Sequence, residues 1–196
     1  MEFSRCEFLR SFGLGSQLIS GTQKEIVFAG RSNVGKSTLL NKLCNNNKLA
    51  RVSSTPGKTT TINFFTLSDE YYLVDLPGYG FAKRSDEERA RWADLMEAYF
   101  SSGRNISLVA LLLDARRVPN ADDEQMIRFM TDYSIPFVVI ATKIDKLNVS
   151  ERKKNLAVIG QFAARFGCRE VFSYSSLDQN SIVELRERIA SIVNDL

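Results

Sequence analysis

Histidine is absent from this sequence of 196 residues, and cysteine is scarce. Without an imidazole the chain cannot build a Ser-His-Asp triad or a histidine-ligated zinc site, so both kinds of catalytic centre are excluded. Cys6, Cys44 and Cys168 are odd in number, widely spaced and outside any C-x-x-C pattern. They are therefore predicted to be reduced structural thiols, with neither a disulfide nor a metal role.

Long hydrophobic runs are also missing. No apolar stretch approaches the roughly 20 residues of a membrane-spanning helix. Residues 1–24 lack the apolar stretch and small-residue cleavage site of a signal peptide. A cytoplasmic protein that binds no membrane is therefore expected. The net charge of +3 and the pI near 8.8 are a mild basic excess, which is compatible with an acidic partner such as RNA.

Apolar runs typical of strands alternate along the chain with segments of helical periodicity. This alternation predicts an α/β fold with a mainly parallel, six-stranded sheet that has helices on both faces. Residues 24–196 are expected to form a single domain, and residues 1–23 an N-terminal extension. The predicted strands are residues 25–29, 62–67, 71–75, 107–114, 137–142 and 170–174.

Helical periodicity predicts one helix over residues 86–100 and another near the C-terminus. Two polar segments with proline or glycine, residues 45–61 and 76–85, are predicted loops. Loops this long inside a compact domain are usually functional. The core-facing residues of the two helices are expected to be Trp92, Leu95, Met96, Tyr99 and Phe100, and then Ile182, Leu185, Ile189, Ile192 and Val193.

The pattern G-x-x-x-x-G-K-[ST] lies between the first predicted strand and a helical segment. Its glycines let the backbone curl so that N–H groups point at phosphate oxygens, and the positive end of the next helix adds to this cradle. The lysine neutralises the β and γ phosphates, and the hydroxyl ligates Mg²⁺. The predicted phosphate loop consists of Gly30, Arg31, Ser32, Asn33, Val34, Gly35, Lys36 and Ser37.

A second motif, D-x-x-G, follows the third predicted strand as Asp75, Leu76, Pro77 and Gly78, here called the DLPG segment. A carboxylate at this strand end is suited to hold the water shell of Mg²⁺, and the Gly78 N–H is suited to meet the γ-phosphate. The motif taken singly is common by accident. Its position directly after a strand is what makes it informative.

The TKID segment, Thr142, Lys143, Ile144 and Asp145, closes the fifth predicted strand. An aspartate here can accept hydrogen bonds from N1–H and the N2 amino group of guanine, whereas adenine offers neither donor. Losing such charged hydrogen bonds implies discrimination of roughly a hundredfold. The lysine stem can lie along the base plane. The segment therefore predicts binding of GTP and GDP, although taken alone a surface Lys–Asp pair explains it about as well.

Together, GRSNVGKS, SSTPGKTTTINFF, DLPGYGFAK and TKID closely resemble the bacterial ribosome-biogenesis GTP-binding proteins of the EngB/YsxC group, from about Lys24 to the C-terminal helix. The resemblance implies a P-loop GTPase that assists assembly of the large ribosomal subunit, with its rRNA and proteins as partners, and that is needed for normal cell division and septation. A monomer that binds no DNA is expected. The resemblance further implies a nucleotide-binding segment that consists of Gly57, Lys58, Thr59, Thr60 and Thr61. Within it, Thr59 is implied to join Ser37 as a ligand of Mg²⁺, while Asp75 acts through water. The loop whose backbone touches guanine is implied to be Tyr174, Ser175 and Ser176.

Two departures from the general GTPase pattern affect the expected chemistry. Thr142 stands where asparagine is usual, so its contact should be weaker, which predicts affinity on the order of micromolar and spontaneous nucleotide exchange. Tyr79 stands where signalling GTPases have the glutamine that orients water, so slow intrinsic turnover is expected. Tyr79 and Phe81 are candidates for a docking surface. Basic residues suited to rRNA are Lys48, Arg51, Lys58, Lys83, Arg84, Arg116, Arg117, Arg152, Lys153 and Lys154.

Two other functions fit part of the sequence. A P-loop kinase or ATPase shares the phosphate loop, but Asp145 argues against ATP, and no acceptor-binding lid domain is apparent. A GTP-dependent switch that acts directly on the division machinery also fits. The sequence contains little that distinguishes this function from a role in ribosome assembly.

Two sources of positive charge could compensate for the slow turnover. Lys83, Arg84 or a group of the ribosomal partner is one alternative. The other is a K⁺ ion, which would accelerate hydrolysis. Asn33 occupies the phosphate-loop position that helps to hold K⁺ in related potassium-stimulated GTPases, where the cation acts as an arginine finger acts elsewhere. With Lys36, Thr59 and Gly78, Asn33 completes the expected catalytic residues. GTP turnover in K⁺ and Na⁺ buffers of equal ionic strength should be faster in K⁺, and equal rates would contradict the potassium role.

Overall fold

The computed structural model describes residues 2–13, 15, 18, 22–50, 61–80 and 85–195. The helices are α1 (Lys36–Leu43), α2 (Asp86–Ser101), α3 (Ala121–Asp132), α4 (Val149–Ala164) and α5 (Gln179–Asn194). The strands are β1 (Glu7–Phe12), β2 (Lys24–Gly30), β3 (Ile62–Thr66), β4 (Tyr71–Asp75), β5 (Ile106–Asp114), β6 (Phe137–Thr142) and β7 (Val171–Ser173). Short 3₁₀ turns cover Phe3–Arg5 and Ile144–Lys146.

Within the described ranges, the strands form one seven-stranded sheet at the centre of the fold, in the order β1-β3-β4-β2-β5-β6-β7. β2 pairs in parallel with both β4 and β5, and parallel pairing continues through β6 to β7. β3 runs antiparallel to its neighbours β4 and β1. The predicted α/β class with a mainly parallel sheet is confirmed, whereas the predicted number of six strands is wrong.

β1 is the strand that the sequence analysis missed. Five of its six residues are exposed because it lies at the edge of the sheet, so it lacks the apolar alternation by which strands are recognised. A bulge between Phe8 and Arg10 disturbs the alternation further. Its ladder with β3 joins part of residues 1–23 to the sheet, while the domain boundary expected at Lys24 stays a prediction.

Helices cover both faces of the sheet, as predicted, because neighbouring residues of a strand point to opposite sides. Ile26 and Phe28 of β2 belong to a core shared with α1 and α5, whereas Val27 and Ala29 belong to a core shared with α2, α3 and α4. Residues 107–113 of β5 are all buried, as expected for a strand covered on both faces. The predicted helix stripes are buried at Trp92, Leu95, Met96, Tyr99 and Phe100 and at Ile182, Leu185, Ile189 and Val193, with Ile192 partly buried.

Capping boxes mark the start of three of the described helices. A capping box, in which the cap and the third helical residue bond to each other's backbone N–H, opens α2, α3 and α4. The pairs are Ser85 with Glu88, Asn120 with Asp123, and Asn148 with Glu151. Of the three acidic partners only Asp123 is buried.

A buried ion pair closes the end of the sheet opposite the phosphate loop. Arg104 Nε lies 2.8 Å from Glu25 Oε1, and the Tyr99 hydroxyl donates to Oε2 of the same carboxylate at 2.5 Å. These hydrogen bonds satisfy charges that would otherwise be costly to bury. Among the helices described above, none combines the length and the apolar character that a transmembrane segment requires.

Candidate functional site

The phosphate loop connects β2 to α1 at the carboxyl end of the sheet, where open α/β folds bind ligands. Gly35 caps α1 with a φ of +107°, a left-handed conformation that side chains rarely adopt. Gly30 has no room for a side chain, because a Cβ there would lie 2.9 Å from Val34 Cγ1 and 3.0 Å from the Leu112 carbonyl oxygen. Both glycines of the motif are therefore required by the local geometry.

Lys36, the first residue of α1, forms an ion pair with Asp75 Oδ1 at the end of β4. Both side chains are almost buried, at 9% and 10% exposure. The other carboxylate oxygen of Asp75 accepts from Asn63 Nδ2 at 3.4 Å, and Thr61 Oγ1 donates to Asn63 Oδ1 at 3.2 Å. Two residues that the sequence assigns to the phosphates and the metal are thus in direct contact. Ser37 follows Lys36 on α1 and is half-buried.

The DLPG segment lies directly against the phosphate loop. Leu76 N donates to the Phe28 carbonyl at 3.0 Å, and Ser32 N donates to the Tyr79 carbonyl at 2.9 Å. Gly78 packs so closely that a Cβ there would lie 3.0 Å from Ser32 Oγ. The pairing between β4 and β2 therefore continues beyond the strand ends, so the phosphate loop and the DLPG segment form one structural unit.

Tyr79 is buried, with 4% of its surface exposed, so the prediction that its side chain forms part of a docking surface is wrong. Its hydroxyl donates to Asp123 Oδ1 at 2.8 Å. Burial raises the pKa of Tyr79 well above its ordinary value, so the hydroxyl keeps its proton and remains a donor. Burial also raises the pKa of Asp123, while hydrogen bonds from the Asn120 backbone and from Tyr79 oppose that rise.

Two further contacts hold the same segment between helices. Trp92 Nε1 on α2 donates to the Pro77 carbonyl at 3.2 Å. Arg31 of the phosphate loop donates through Nη2 to the Gly80 carbonyl at 3.4 Å, and its Nη1 lies 3.4 Å from Asp122 Oδ2 on α3. Residues 76–80 are therefore bound to the phosphate loop, α2 and α3 at once.

The TKID segment contacts the phosphate loop from the other side. Thr142 is buried, and its hydroxyl lies 2.8 Å from the Val34 carbonyl and 3.2 Å from the Leu113 carbonyl, either of which can accept its single proton. Lys143, at a left-handed φ of +60°, donates through Nζ to the Asn33 carbonyl at 2.6 Å. Ile144 begins the 3₁₀ turn that carries Asp145. The segment therefore supports the shape of the phosphate loop.

Asp145 is held by the loop that follows β7. Ser175 Oγ donates to Asp145 Oδ1 at 3.0 Å. Desolvation alone would raise the pKa of Asp145, but hydrogen bonds from Ser175, its own backbone and Lys146 outweigh that effect and lower it. Tyr174 is buried beside this site and Ser176 is half-buried in the following turn. Burial, with a contribution from the Asp145 charge, raises the pKa of Tyr174 to about 12.

Asp114, the last residue of β5, is a charged group that the sequence analysis did not select. Its Oδ2 lies 3.1 Å from Lys143 Nζ and 2.7 Å from Arg116 Nη2. Desolvation raises its pKa, but hydrogen bonds from Arg116 and Lys143 outweigh this and lower the pKa to about 2. A usable signal was present, because polar residues at the carboxyl ends of parallel strands face the ligand crevice.

Several predicted residues lie outside the part of the chain that the structure describes. They are Gly57, Lys58, Thr59 and Thr60 of the nucleotide site, and Arg51, Phe81, Lys83 and Arg84 of the proposed partner surface. A cavity of about 110 Å³ lies between Arg31 and the connection from β5 to α3. It is smaller than the roughly 300 Å³ at which ligand pockets usually begin.

Comparison with known proteins gives concordant matches over this site. A family model described as a 50S ribosome-binding GTPase matches residues 25–143, which contain the phosphate loop and the DLPG segment. A probable GTP-binding protein EngB from Kosmotoga olearia is 47% identical over 163 residues, covering 83% of this chain and 85% of the relative. Another from Mycoplasma mycoides is 43% identical over 190 residues, covering 96% and 97%. The crystal structure of a probable GTP-binding protein EngB is similar with a TM-score of 0.70 and 27% identity, covering 88% of this chain and 100% of that one.

Replacing Tyr79 by phenylalanine should raise the pKa of Asp123 further, because the hydroxyl stabilises only the charged carboxylate. The pKa of Asp123 in the folded state is already raised, so its charged form lowers the stability of the protein at pH values above about 4, the ordinary pKa of a carboxyl group. Tyr79→Phe should enlarge that loss of stability. We expect a loss of about 1–2 kcal/mol in the free energy of unfolding at pH 7, which shrinks as the pH falls toward 4.

Carboxyl-detected NMR titration of Asp123 and urea unfolding measure these two effects. Tyr133→Phe is the matched control, because the Tyr133 hydroxyl donates to Glu97 at an exposed site. An Asp123 pKa that is the same in Tyr79→Phe and in the unsubstituted protein would contradict the assigned role of the hydroxyl.

Proposed function

This chain belongs to the EngB family of GTP-binding proteins, and from that premise we propose that it is a nucleotide-dependent switch in assembly of the large ribosomal subunit. The family makes it a GTPase; the ribosomal role, and with it a requirement in normal cell division and septation, is the proposal. One observation carries the switch: residues 76–80 bond to the phosphate loop, α2 and α3 simultaneously. A change at the phosphates therefore has a direct path to two helices.

The phosphates are proposed to bind the backbone N–H groups of the phosphate loop at the positive end of α1. Lys36 would then exchange its contact with Asp75 for the β and γ phosphates. The exchange replaces one charge partner by another, so the lysine is never left as an uncompensated buried charge. This makes the Lys36–Asp75 pair a nucleotide-sensitive contact between α1 and β4.

The donor chemistry at this place fits Mg²⁺. The Ser37 hydroxyl and the Asp75 carboxylate are oxygen donors, which this hard cation prefers, and Asp75 Oδ1 already lies against a positive charge. We propose that Ser37 and Thr59 ligate the ion and that Asp75 holds its water shell. A bound Mg²⁺ would neutralise charge on the β and γ phosphates. Among the described residues, no cluster of three or more Cys, Asp and Glu side chains is placed to hold a metal, in keeping with a metal held partly by phosphate.

The guanine base is proposed to bind Asp145, with the stem of Lys143 along the ring and the backbone of residues 174–176 at its edge. The lowered pKa of Asp145 keeps the carboxylate charged and able to accept two hydrogen bonds. The Thr142 hydroxyl donates its single proton to the Val34 or the Leu113 carbonyl, which supports the phosphate loop and leaves a weaker contact to the base than an asparagine amide would make. Affinity on the order of micromolar and spontaneous exchange are expected on this account.

Hydrolysis is proposed to be slow without further help. The Tyr79 hydroxyl is committed to Asp123 in a buried site, so it does not orient a water molecule at the γ-phosphate. Asn33 is exposed, and its carbonyl is bound by Lys143. A K⁺ ion beside Asn33 is the proposed source of additional positive charge.

The partner is proposed to be rRNA and protein of the large subunit or its precursor. The description of the matching family model as a 50S ribosome-binding GTPase supports this choice. Exposed basic side chains can neutralise the phosphates of an RNA backbone, which also supports this choice. The exposed basic residues predicted earlier and described here are Lys48, Arg116, Arg117, Lys153 and Lys154.

Co-sedimentation with ribosomal particles tests this function. We expect the protein to pellet with large-subunit particles in a non-hydrolysable GTP analogue, and to remain in the supernatant with GDP or without nucleotide. Small-subunit particles serve as the control for nonspecific RNA binding. If no particle is bound in any nucleotide state, despite demonstrated GTP affinity, the ribosomal role is wrong and a direct role at the division machinery becomes the better account.

Replacing Asp145 by asparagine should shift preference from guanine toward xanthine nucleotides. The amide cannot accept from the guanine N1–H and N2 donors as the carboxylate does, but it can donate to the xanthine oxygen at position 2. Loss of GDP affinity of roughly a hundredfold is expected, with a gain for xanthosine diphosphate. Titration calorimetry with both nucleotides measures the change, and unchanged GTP binding would refute the assignment of Asp145.

A further inference from the structure

We propose that Asp114 positions Lys143 beneath the guanine base and thereby sets the affinity for guanine nucleotides. Asp114 is a positioning residue in this account, because it acts on the ligand only through Lys143. The inference rests on the proposed role of the TKID segment in base binding.

In the part of the chain that the structure describes, the Lys143 ammonium has two partners. Nζ lies 2.6 Å from the Asn33 carbonyl and 3.1 Å from Asp114 Oδ2. A lysine side chain has a long stem with many rotamers, and two anchors at its tip restrict the path of that stem. One anchor belongs to the phosphate loop and the other to the end of β5, so the ammonium bridges the two and the end of the stem is fixed between them. A stem ordered before binding presents a preformed surface to the base and lowers the entropy cost of binding.

Asp114 is itself held rigidly. Arg116 donates to both of its carboxylate oxygens, through Nε at 2.9 Å and Nη2 at 2.7 Å, and the Arg116 backbone N–H donates to Oδ1 at 3.1 Å. The Asp114 side chain is only 9% exposed. The carboxylate therefore remains charged and fixed throughout the neutral range. The negative charge of Asp114 also lies between the positive charges of Lys143 and Arg116 and reduces the repulsion between them.

Strand register brings Asp114 and Lys143 together. Asp114 of β5 lies opposite Thr142 of β6, the residue directly before Lys143. The chain beyond β5 is fixed at the same place, because Ala115 N donates to the Thr142 carbonyl at 3.0 Å and Asn155 Nδ2 on α4 donates to the Ala115 carbonyl at 2.8 Å. The contact therefore follows from the register of β5 and β6, which places the end of β5 beside the residue that follows β6.

This arrangement makes a specific prediction about which nucleotide properties change. Asp114→Asn keeps the size of the side chain but removes the charge that attracts Lys143. Because the base is common to GDP and GTP, the Kd of both should rise by the same factor, about tenfold, which corresponds to about 1.4 kcal/mol. Turnover at saturating GTP should change by a smaller factor than the Kd, because Asp114 contacts the lysine assigned to the base and no residue assigned to the phosphates.

A double-mutant cycle separates positioning from a merely structural effect. Fluorescent GDP binding is measured for the full chain and for Asp114→Asn, Lys143→Ala and the double variant. The expected result is a tenfold loss from Asp114→Asn in the unsubstituted background and less than a twofold loss in the Lys143→Ala background. A loss of equal size in both backgrounds, or no loss in either, would overturn the proposal.

Two control variants accompany the cycle. Asp69→Asn makes the same charge change at an exposed position in the turn between β3 and β4, and it should leave the Kd unchanged. Arg116→Gln removes the other cation on Asp114 but leaves Lys143 its partner, so its effect should be smaller than that of Asp114→Asn. An Arg116→Gln effect as large as that of Asp114→Asn would also count against the proposal.

Failure of the underlying site assignment gives a different result. If Lys143→Ala itself leaves the Kd for GDP unchanged, the lysine does not support the base, and both the assignment and this inference are wrong. If Lys143→Ala weakens binding but Asp114→Asn does not, the base site stands and the positioning role of Asp114 alone is refuted.

Discussion

The phosphate loop depends on hydrogen bonds from neighbouring segments for its shape. A backbone that leaves a strand and curls before entering a helix has polar groups that must be satisfied from outside. Here the carbonyls of Asn33 and Val34 accept from side chains of the TKID segment, and the Ser32 N–H donates to the Tyr79 carbonyl. The segments predicted to read the base and to sense the γ-phosphate are therefore bound to opposite sides of one loop. Loss of either set of hydrogen bonds would therefore change the conformation of the phosphate loop.

Two aspartates near this loop illustrate how environment sets the behaviour of identical side chains. Asp114 contacts two cations, which outweigh its desolvation and lower its pKa to about 2. Asp123 is buried beside a neutral phenol, so burial dominates and its pKa is raised. The first carboxylate is a permanent charge that can hold a lysine in place. The second holds Tyr79 through a hydrogen bond whose strength depends on pH. The contacts on the two sides of the phosphate loop therefore differ in their dependence on pH.

Sequence reasoning succeeded where a pattern reflects local geometry or regular periodicity. The Gly-Lys-Ser motif predicted a loop between a strand and a helix because the curled backbone requires glycine at fixed spacing, and β2 and α1 flank it as expected. It failed at β1, whose exposed residues and bulge remove the alternation that identifies strands. It also failed at Tyr79, because a tyrosine between loop residues looks exposed until its partner Asp123 is known.

The sequence by itself determined the α/β class, the order of the three nucleotide motifs and the family, since each depends on residue type and spacing within a short segment. Only the tertiary structure decided which charged side chains meet. Lys143 contacts Asp114 across 29 positions of the chain, and Tyr79 contacts Asp123 across 44. Such contacts follow from strand register and from the packing of helices on the sheet, which no local spacing encodes. For that reason the motifs predict a nucleotide site from the sequence alone, whereas the side chains that hold those motifs in position became known only from the tertiary structure.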